Sequence, residues 1–598
     1  MLRRNVTILL LLLLVPCFMM GQSQKVKLAH KIAKVGVNDV TPATVVSDKK
    51  LNGTPIGEQV GITTIYDSWT NCIIRDIIVY AGGVKLANMV RPFPNATGDP
   101  AVRHIVFSQR DSATGTWTYN DVFGGAAGWP DIDVSRSGSN LGTIGIVGHT
   151  PSRLAVWDGT AFQVATFGPA TDPSFQFSGD NIFLGNSGNR TQFQMYKSTD
   201  GTTFTNFDSI SAFGPSPKDV FWTANGSVEM GLSKSPDETQ LVYYGVNGGN
   251  GAEFDGVPAD SCDNVFAISS PDGGTTWTPK KLAIDGHKGL VAAYPTYAPW
   301  FNYWDQMDLS VTNAGTIHAV AGGFGYNFNT PDTTLWFPVL YYNSKSNTWI
   351  TISNHAIDTM QNLFTWAAGR HQGNSFPSVS VSEDGKLVYV CWAGPQMTGN
   401  VLDTASDGAT GPYYYRDLYH TWSVDGGATF KTPTVFSTEK TVSEEYPTAP
   451  QTLRFDATQG KYVADICYLA HLGSGAFIQD GSPSYNDPIM YYAFTIPDVP
   501  TTGVNDGKQV VRSFNLEQNY PNPFNPSTKI SYTLSEKSNV TLKVFDMLGR
   551  EVASLINGSQ EAGQHNVSFD ASKLASGVYV YTLKSNSNVM SKKMMLMK

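Results

Sequence analysis

The sequence predicts an all-β fold: a β-propeller of six or seven blades, seven favoured, followed by a small immunoglobulin-like β-sandwich. Three observations lead there. A tight-turn stretch, Ser270-Pro271-Asp272-Gly273-Gly274-Thr275-Thr276-Trp277, returns as Ser423-Val424-Asp425-Gly426-Gly427-Ala428-Thr429-Phe430 and, one glycine shorter, as Ser198-Thr199-Asp200-Gly201-Thr202-Thr203-Phe204. Apolar and polar residues alternate with period two in short runs between Gly-, Asp- and Asn-bearing turns. Charged residues are only 15% against 12% aromatics and 57 glycines, which suits short strands and turns rather than helix bundles.

The turn has a local logic. An Asp side chain accepts backbone N–H groups just ahead of it, and the glycines supply positive φ. The chain reverses between two strands, and the aromatic packs back under the turn.

Residues 1–21 read as a signal peptide: Arg3 and Arg4, an apolar run from Ile8 to Val15, then Met19-Met20-Gly21 before Gln22. Leu14-Val15-Pro16-Cys17 is a poor lipoprotein box, because Pro16 replaces the small residue. No later stretch is long and apolar enough to span a bilayer. Residues 22–59 form a polar leader segment.

From 60 to 497 one theme repeats. First strands are expected at 130–135, 307–312, 377–382 and 451–455, and answering strands at 143–147, 316–321, 386–392 and 461–468. Third strands such as Val265 to Ile268 and Leu418 to Trp422 lead into the turn stretches. A spacing of about 40 to 80 residues fits four-stranded units with variable loops. Residues 498–513 are a linker. Residues 514–598 carry strand patterns at 529–534, 539–546, 564–570 and 577–584, enough for a small sandwich.

The turn stretch is the Asp-box pattern, and the chain around it resembles the BNR-repeat, sialidase-like β-propellers. The resemblance implies a structural role for Ser270, Asp272, Gly274, Trp277, Ser423, Asp425, Gly427 and Phe430. The last block resembles the type A C-terminal sorting domain of the type IX (Por) secretion system. Asn519-Tyr520-Pro521-Asn522-Pro523-Phe524-Asn525-Pro526, Phe545-Asp546-Met547-Leu548-Gly549-Arg550, Ala575-Ser576-Gly577-Val578-Tyr579 and Ser591-Lys592-Lys593-Met594 carry it. It implies the secretion machinery as partner and a destination outside the outer membrane.

A sialidase holds its substrate carboxylate with three arginines and attacks with a Tyr activated by a Glu. Arg91, Arg370 and Arg416, with Glu445 and Tyr446, are the residues that could serve, although none has diagnostic spacing. Trp300, Tyr303, Trp304 and Asp305 lie in an aromatic-rich stretch suited to a glycan or protein ligand. Glu253 to Asp263 gathers four carboxylates, which is compatible with calcium but matches no known loop spacing. No other cofactor and no metal cluster is expected. The mature cysteines Cys72, Cys262, Cys391 and Cys467 allow three pairings, while Cys391 and Cys467 sit in apolar strand patterns. A net charge of −9 without a basic stripe argues against nucleic acid. The expected function is an exported surface or secreted protein that binds glycan or protein. A sialidase-like glycosidase and a non-catalytic structural surface protein are the alternatives.

Overall fold

The structure, a computed structural model, describes residues 55–64, 77–90, 103–123, 127–149, 153–157, 162–166, 173–186, 194–201, 203–206, 228–247, 264–281, 297–301, 307–327, 334–336, 338–353, 359–361, 374–398, 401–402, 415–436, 442–472 and 487–497. In the tail it describes 515–516, 519, 522, 524–534, 537–560, 563–585 and 588–597. All regular elements among these are strands. The chain divides into two compact units, one up to Val499 and one from Pro500.

Among the described residues of the first unit, the strands form seven successive antiparallel sheets, with a separate two-stranded ladder of Met397–Thr398 and Val401–Leu402. Their opening strands are Ile78–Tyr80, Gly128–Val134, Ser174–Ser178, Val228–Lys234, Met307–Val311, Ser375–Val381 and Ser443–Thr448. Each opening strand but the last pairs with the next strand of its own sheet, the last pairing instead with Lys461–His471, and the opening strands pack against a neighbouring sheet in chain order; the seventh sheet packs against the first. One hydrophobic cluster, containing Leu86, Met89, Leu418, Leu469 and Ile489, joins the first, sixth and seventh sheets.

The seventh sheet takes its outermost strand from the beginning of the chain. Glu58–Thr64 pairs with Asp487–Thr495, with Glu58 opposite Tyr491. The boundary expected at residue 60 therefore falls inside a strand. Glu58 also reaches the first sheet, accepting from Arg110 Nε at 2.5 Å and Trp117 Nε1 at 2.7 Å. The opening strand of this sheet is Ser443–Thr448 rather than the expected 451–455. Pro450 lacks the N–H a ladder needs, and Arg454–Asp456 forms only a short pairing with Lys461 to Val463.

The opening strands are almost wholly buried, yet they alternate polar and apolar residues. The polar side chains bind the next sheet. Asp131 Oδ2 accepts Phe175 N, Ser174 Oγ accepts Leu232 N, Asp308 Oδ2 accepts Val379 N, and Ser378 Oγ accepts Ala449 N, at 3.3, 3.1, 2.8 and 3.1 Å. The fourth sheet has Gly231 at the equivalent place, and Leu309 N instead bonds Asp308 Oδ1 at 2.7 Å. Several of these buried polar groups are thus satisfied across sheet boundaries, where an apolar strand would offer no registration.

Three opening strands carry an aromatic–proline pair: Trp129-Pro130, Phe376-Pro377 and Tyr446-Pro447. Each aromatic has positive φ (47, 55 and 55°) and sits where the pairing register shifts. The bulge turns the strand into its inward course.

The turn stretches adopt the geometry their sequence implies. Ser270 Oγ accepts Gly274 N at 2.8 Å, and Asp272 Oδ1 accepts Thr275 N and Thr276 N at 3.1 and 2.8 Å. These bonds hold the Asp272 carboxyl down at about 2. Ser423 and Asp425 repeat the pattern with Gly427 N and Thr429 N. Trp277 packs on Phe183 of the preceding sheet as well as on Tyr243 of its own, and Phe430 packs on Tyr341 of the preceding sheet, so each turn rests on the sheet before it.

The second unit consists of a three-stranded and a four-stranded antiparallel sheet enclosing one core that includes Leu516, Tyr532, Leu542, Phe569 and Tyr581. Two of its strands, Glu551–Gln560 and Asn588–Leu596, were not expected from the sequence. Asn519 N donates to Tyr581 Oη at 2.8 Å, and Asn522 Oδ1 accepts Met595 N at 2.8 Å. The Asn-Pro run is thereby fastened to the last strands.

Candidate functional site

The opening strands all run the same way, so the first unit has two distinct ends. The Asp turns lie at one, where opening strands finish. Lys234 closes part of that end. Its Nζ donates to Asp133 Oδ2 at 2.8 Å, Glu238 Oε1 at 2.7 Å and Val134 O at 2.7 Å. Burial raises the Asp133 carboxyl, against the pull of Lys234, while Lys234 and the bonds from Ser137 and Arg136 N bring Glu238 below its usual range despite burial. Gln451 of the seventh sheet accepts Lys234 N and donates to Leu232 O of the fourth, at 3.1 and 3.2 Å. Arg136 of the second sheet reaches Thr452 Oγ1 at 3.4 Å. One polar node therefore ties the second, fourth and seventh sheets together around a small cavity lined by Asp133, Arg136, Gln176 and Gln451.

The opposite end, where opening strands begin, gathers another set of charges in the sixth and seventh sheets. Arg416 opens the strand Arg416–Ser423, is 1% exposed, and donates from Nη2 to Ser375 Oγ and, at 3.1 Å, to Ala393 O. Phe376 follows Ser375, and its ring lies 4.5 Å from that of Tyr446. Glu444, Glu445 and Tyr446 begin the neighbouring opening strand, all buried. Beside them His471 Nδ1 faces Asp487 Oδ2 at 2.6 Å, both 1% exposed. In the first sheet's vicinity Arg103 lies 4.9 Å over the Trp129 ring. Buried charge is costly unless it is partnered or used, and this end concentrates it.

The structure thus places three sequence-derived candidates, Arg416, Glu445 and Tyr446, at one end. Arg91, Arg370, Tyr303, Trp304 and Asp305 lie outside the described residues, as do the acidic stretch 253–263, Cys72 and Cys262. Trp300 belongs to the strand Tyr297–Phe301, which pairs with the overrun of Ile317–Asn327 beyond the fifth sheet. Cys391 and Cys467 are buried free thiols, and burial pushes Cys467 up to about 12. Sequence reasoning missed Lys234, Glu444, His471 and Asp487. His471 and Asp487 end and begin successive strands, a position that only pairing reveals. Among the described residues no group of three or more His, Cys, Asp and Glu is placed to hold a metal ion. No described helix is long and apolar enough to cross a membrane.

Residues 518–597 match the family described as "Secretion system C-terminal sorting domain". A type IX sorting tail of this kind implies handling by the secretion machinery and delivery to the cell surface or the extracellular space. No Asp-box family matches the rest of the chain, and no curated protein matches it. Among solved structures, the chain is similar to a GH43 endo-arabinanase from Bacillus licheniformis, at 12% identity over 54% of this chain and 93% of that one, TM-score 0.24. It is also similar to a neuraminidase-like protein of A/flat-faced bat/Peru, at 10% identity over 78% and 99%, TM-score 0.29. A third is a Hadza microbial sialidase, at 10% identity over 63% and 76%, TM-score 0.22.

Proposed function

We propose that this chain, which ends in a secretion sorting domain, is an exported seven-bladed β-propeller that binds a glycan at the end of its axis opposite the Asp turns. The tail is an immunoglobulin-like sandwich in this reading, and each of the seven sheets is a blade. The contrast between the two ends carries the proposal. One end is tied by Lys234, Asp133, Glu238 and Gln451, whose charges answer one another. The other gathers Arg416, Glu444, Glu445, His471 and Asp487 where opening strands begin. Carboxylates and a guanidinium on rigid strands are the groups that hydrogen-bond sugar hydroxyls.

The test is a glycan array with the mature protein, followed by calorimetry on any hit. Binding should vanish in Glu445→Gln with the fold intact by circular dichroism, and survive Arg136→Ala at the other end. Loss in the Arg136 variant alone would place the site at the wrong end.

A sialidase-like glycosidase is the second reading, favoured by the nearness of Arg416, through Ser375 and Phe376, to Tyr446 and Glu445. Release of fluorogenic product from a sialoside, abolished in Tyr446→Phe, would establish it in place of simple binding.

A further inference from the structure

We propose that the outer face of the tail's four-stranded sheet is the surface by which the secretion machinery holds this chain, and that it fits a protein surface with an apolar strip and an acidic rim. The inference rests on the sorting-domain match of residues 518–597 and is independent of the glycan reading.

The two sheets of the second unit turn their inner faces to one core, so each has an outer face whose members alternate with core residues. A sheet packed on one side normally carries polar residues on the other. The three-stranded sheet does so: Lys529, Ser531, Ser568 and Asp570 alternate with the core residues Ile530, Tyr532 and Phe569. The four-stranded sheet does not. On Ser538–Asp546 the core takes Val540, Leu542 and Val544, and Phe545 lies on the outer face. On Gly577–Ser585 it takes Tyr579, Tyr581 and Leu583, which leaves Val578 and Val580 outside. On Asn588–Leu596 it takes Met594 and Leu596, while Val589 and Met595 are 56% and 43% exposed.

Strand register joins these residues into one patch. Phe545 pairs with Val580, and Val580 with Lys593; Val578 pairs with Met595 in the next row of the same face. On the other side of that strip come the row Lys543, Thr582, Ser591 and then the row Thr541, Lys584, Val589. The four strands carry two carboxylates, and both are paired: Glu551 with Lys543 at 2.8 Å and Asp546 with Arg550 at 2.7 Å. Lys584 and Lys593 therefore leave the rim positive, and the surface that complements it is acidic. An exposed apolar patch with a polar rim marks an interaction site. Past Phe545 the strand enters a turn fixed by Asp546 Oδ1, which accepts Leu548 N and Arg550 N at 2.9 and 3.0 Å. That turn holds Met547 and Leu548 at 64% and 78% exposure, where they pack on nothing of their own fold. The stretches that resemble the sorting family meet on this face: Phe545 comes from Phe545–Arg550, Val578 from Ala575–Tyr579 and Lys593 from Ser591–Met594. That convergence favours the machinery as occupant over a lipid surface or a second copy of the chain.

The experiment expresses the full chain in a cell with a type IX system and reads the exported fraction. Lys584→Glu with Lys593→Glu, and separately Val580→Thr, should lower export at least 10-fold and leave the protein in the periplasm, with thermal unfolding of the purified variants unchanged. Lys584→Arg with Lys593→Arg should export normally, as should Lys529→Glu with Ser531→Glu on the polar face of the other sheet. A photoreactive benzoylphenylalanine in place of Thr582 should form an adduct that mass spectrometry identifies as a component of the secretion machinery, and one in place of Ser568 should not. Normal export of the folded Glu variants would overturn the proposal, as would adducts at Thr582 with lipid alone, with a second copy alone or with nothing. Removal of residues 514–598 separates the two premises: if that deletion blocks export and the face variants do not, the sorting assignment stands and this surface falls.

Discussion

Ser378 Oγ of the sixth sheet donates to Asp308 Oδ2 of the fifth at 2.8 Å, and the same oxygen accepts Val379 N at 2.8 Å. A single buried carboxylate therefore registers two opening strands. Burial lifts Asp308 to about 6 even though these bonds favour its charged form. The folded carboxyl keeps its proton up to about pH 6, the unfolded one only to about pH 4. Between those values the native state binds more proton, so this group's contribution to stability falls as pH rises through the window. Asp308→Asn should abolish that dependence. In urea titrations the wild-type advantage should shrink from pH 4 to pH 7 by roughly 3 kcal/mol; a constant gap would contradict the assignment.

Gly427 and Gly142 both have positive φ, 86 and 82°. A Cβ at Gly427 would lie 1.8 Å from Tyr341 Oη, whereas one at Gly142 meets nothing within 4 Å. Gly142→Ala should cost about 1 kcal/mol for backbone strain alone. Gly427→Ala must also displace the ring beneath the Asp turn, at a cost of about 3 kcal/mol or more. Comparing the two melting curves separates conformational strain from crowding.

Lys234→Met is expected to destabilise by about 3–5 kcal/mol, since it leaves Asp133 and Glu238 buried together without a cation. Adding Asp133→Asn should restore part of the loss. Equal stability of the single and double variants would show that the carboxylates do not feel each other.

Removing residues 514–598 should strand the first unit in the periplasm, as the sorting family implies. A milder change, Asn519→Ala, should lower the tail's stability by about 1–2 kcal/mol by leaving Thr528 Oγ1 without its 3.0 Å donor. Cell fractionation reads the first outcome and thermal unfolding of the full protein the second. Surface display of the truncated chain would refute the export assignment.

The Asp turns were legible because their bonds close within five residues; Ser270 and Asp272 need no distant partner. The alternation of Asp131, Asp133 and Ser135 likewise announced a strand, but not that its polar members face the next sheet rather than solvent. The strand Ser443–Thr448 was hidden because Glu444 and Glu445 read as surface residues, and only packing between sheets buries them. The strand Glu551–Gln560 was hidden for the opposite reason: it is half-exposed along its length and shows no alternation. His471 and Asp487 were silent because a register relationship, not a local spacing, joins them.

Because Glu58 must find Tyr491, the seventh sheet cannot be completed until almost the whole first unit has left the ribosome. Until then the last sheet presents a bare edge, and the earliest-made strand waits for the latest. A chaperone that guards this protein in transit would have its longest task at that seam, and a truncation anywhere before residue 487 would leave Glu58–Thr64 without its partner strand.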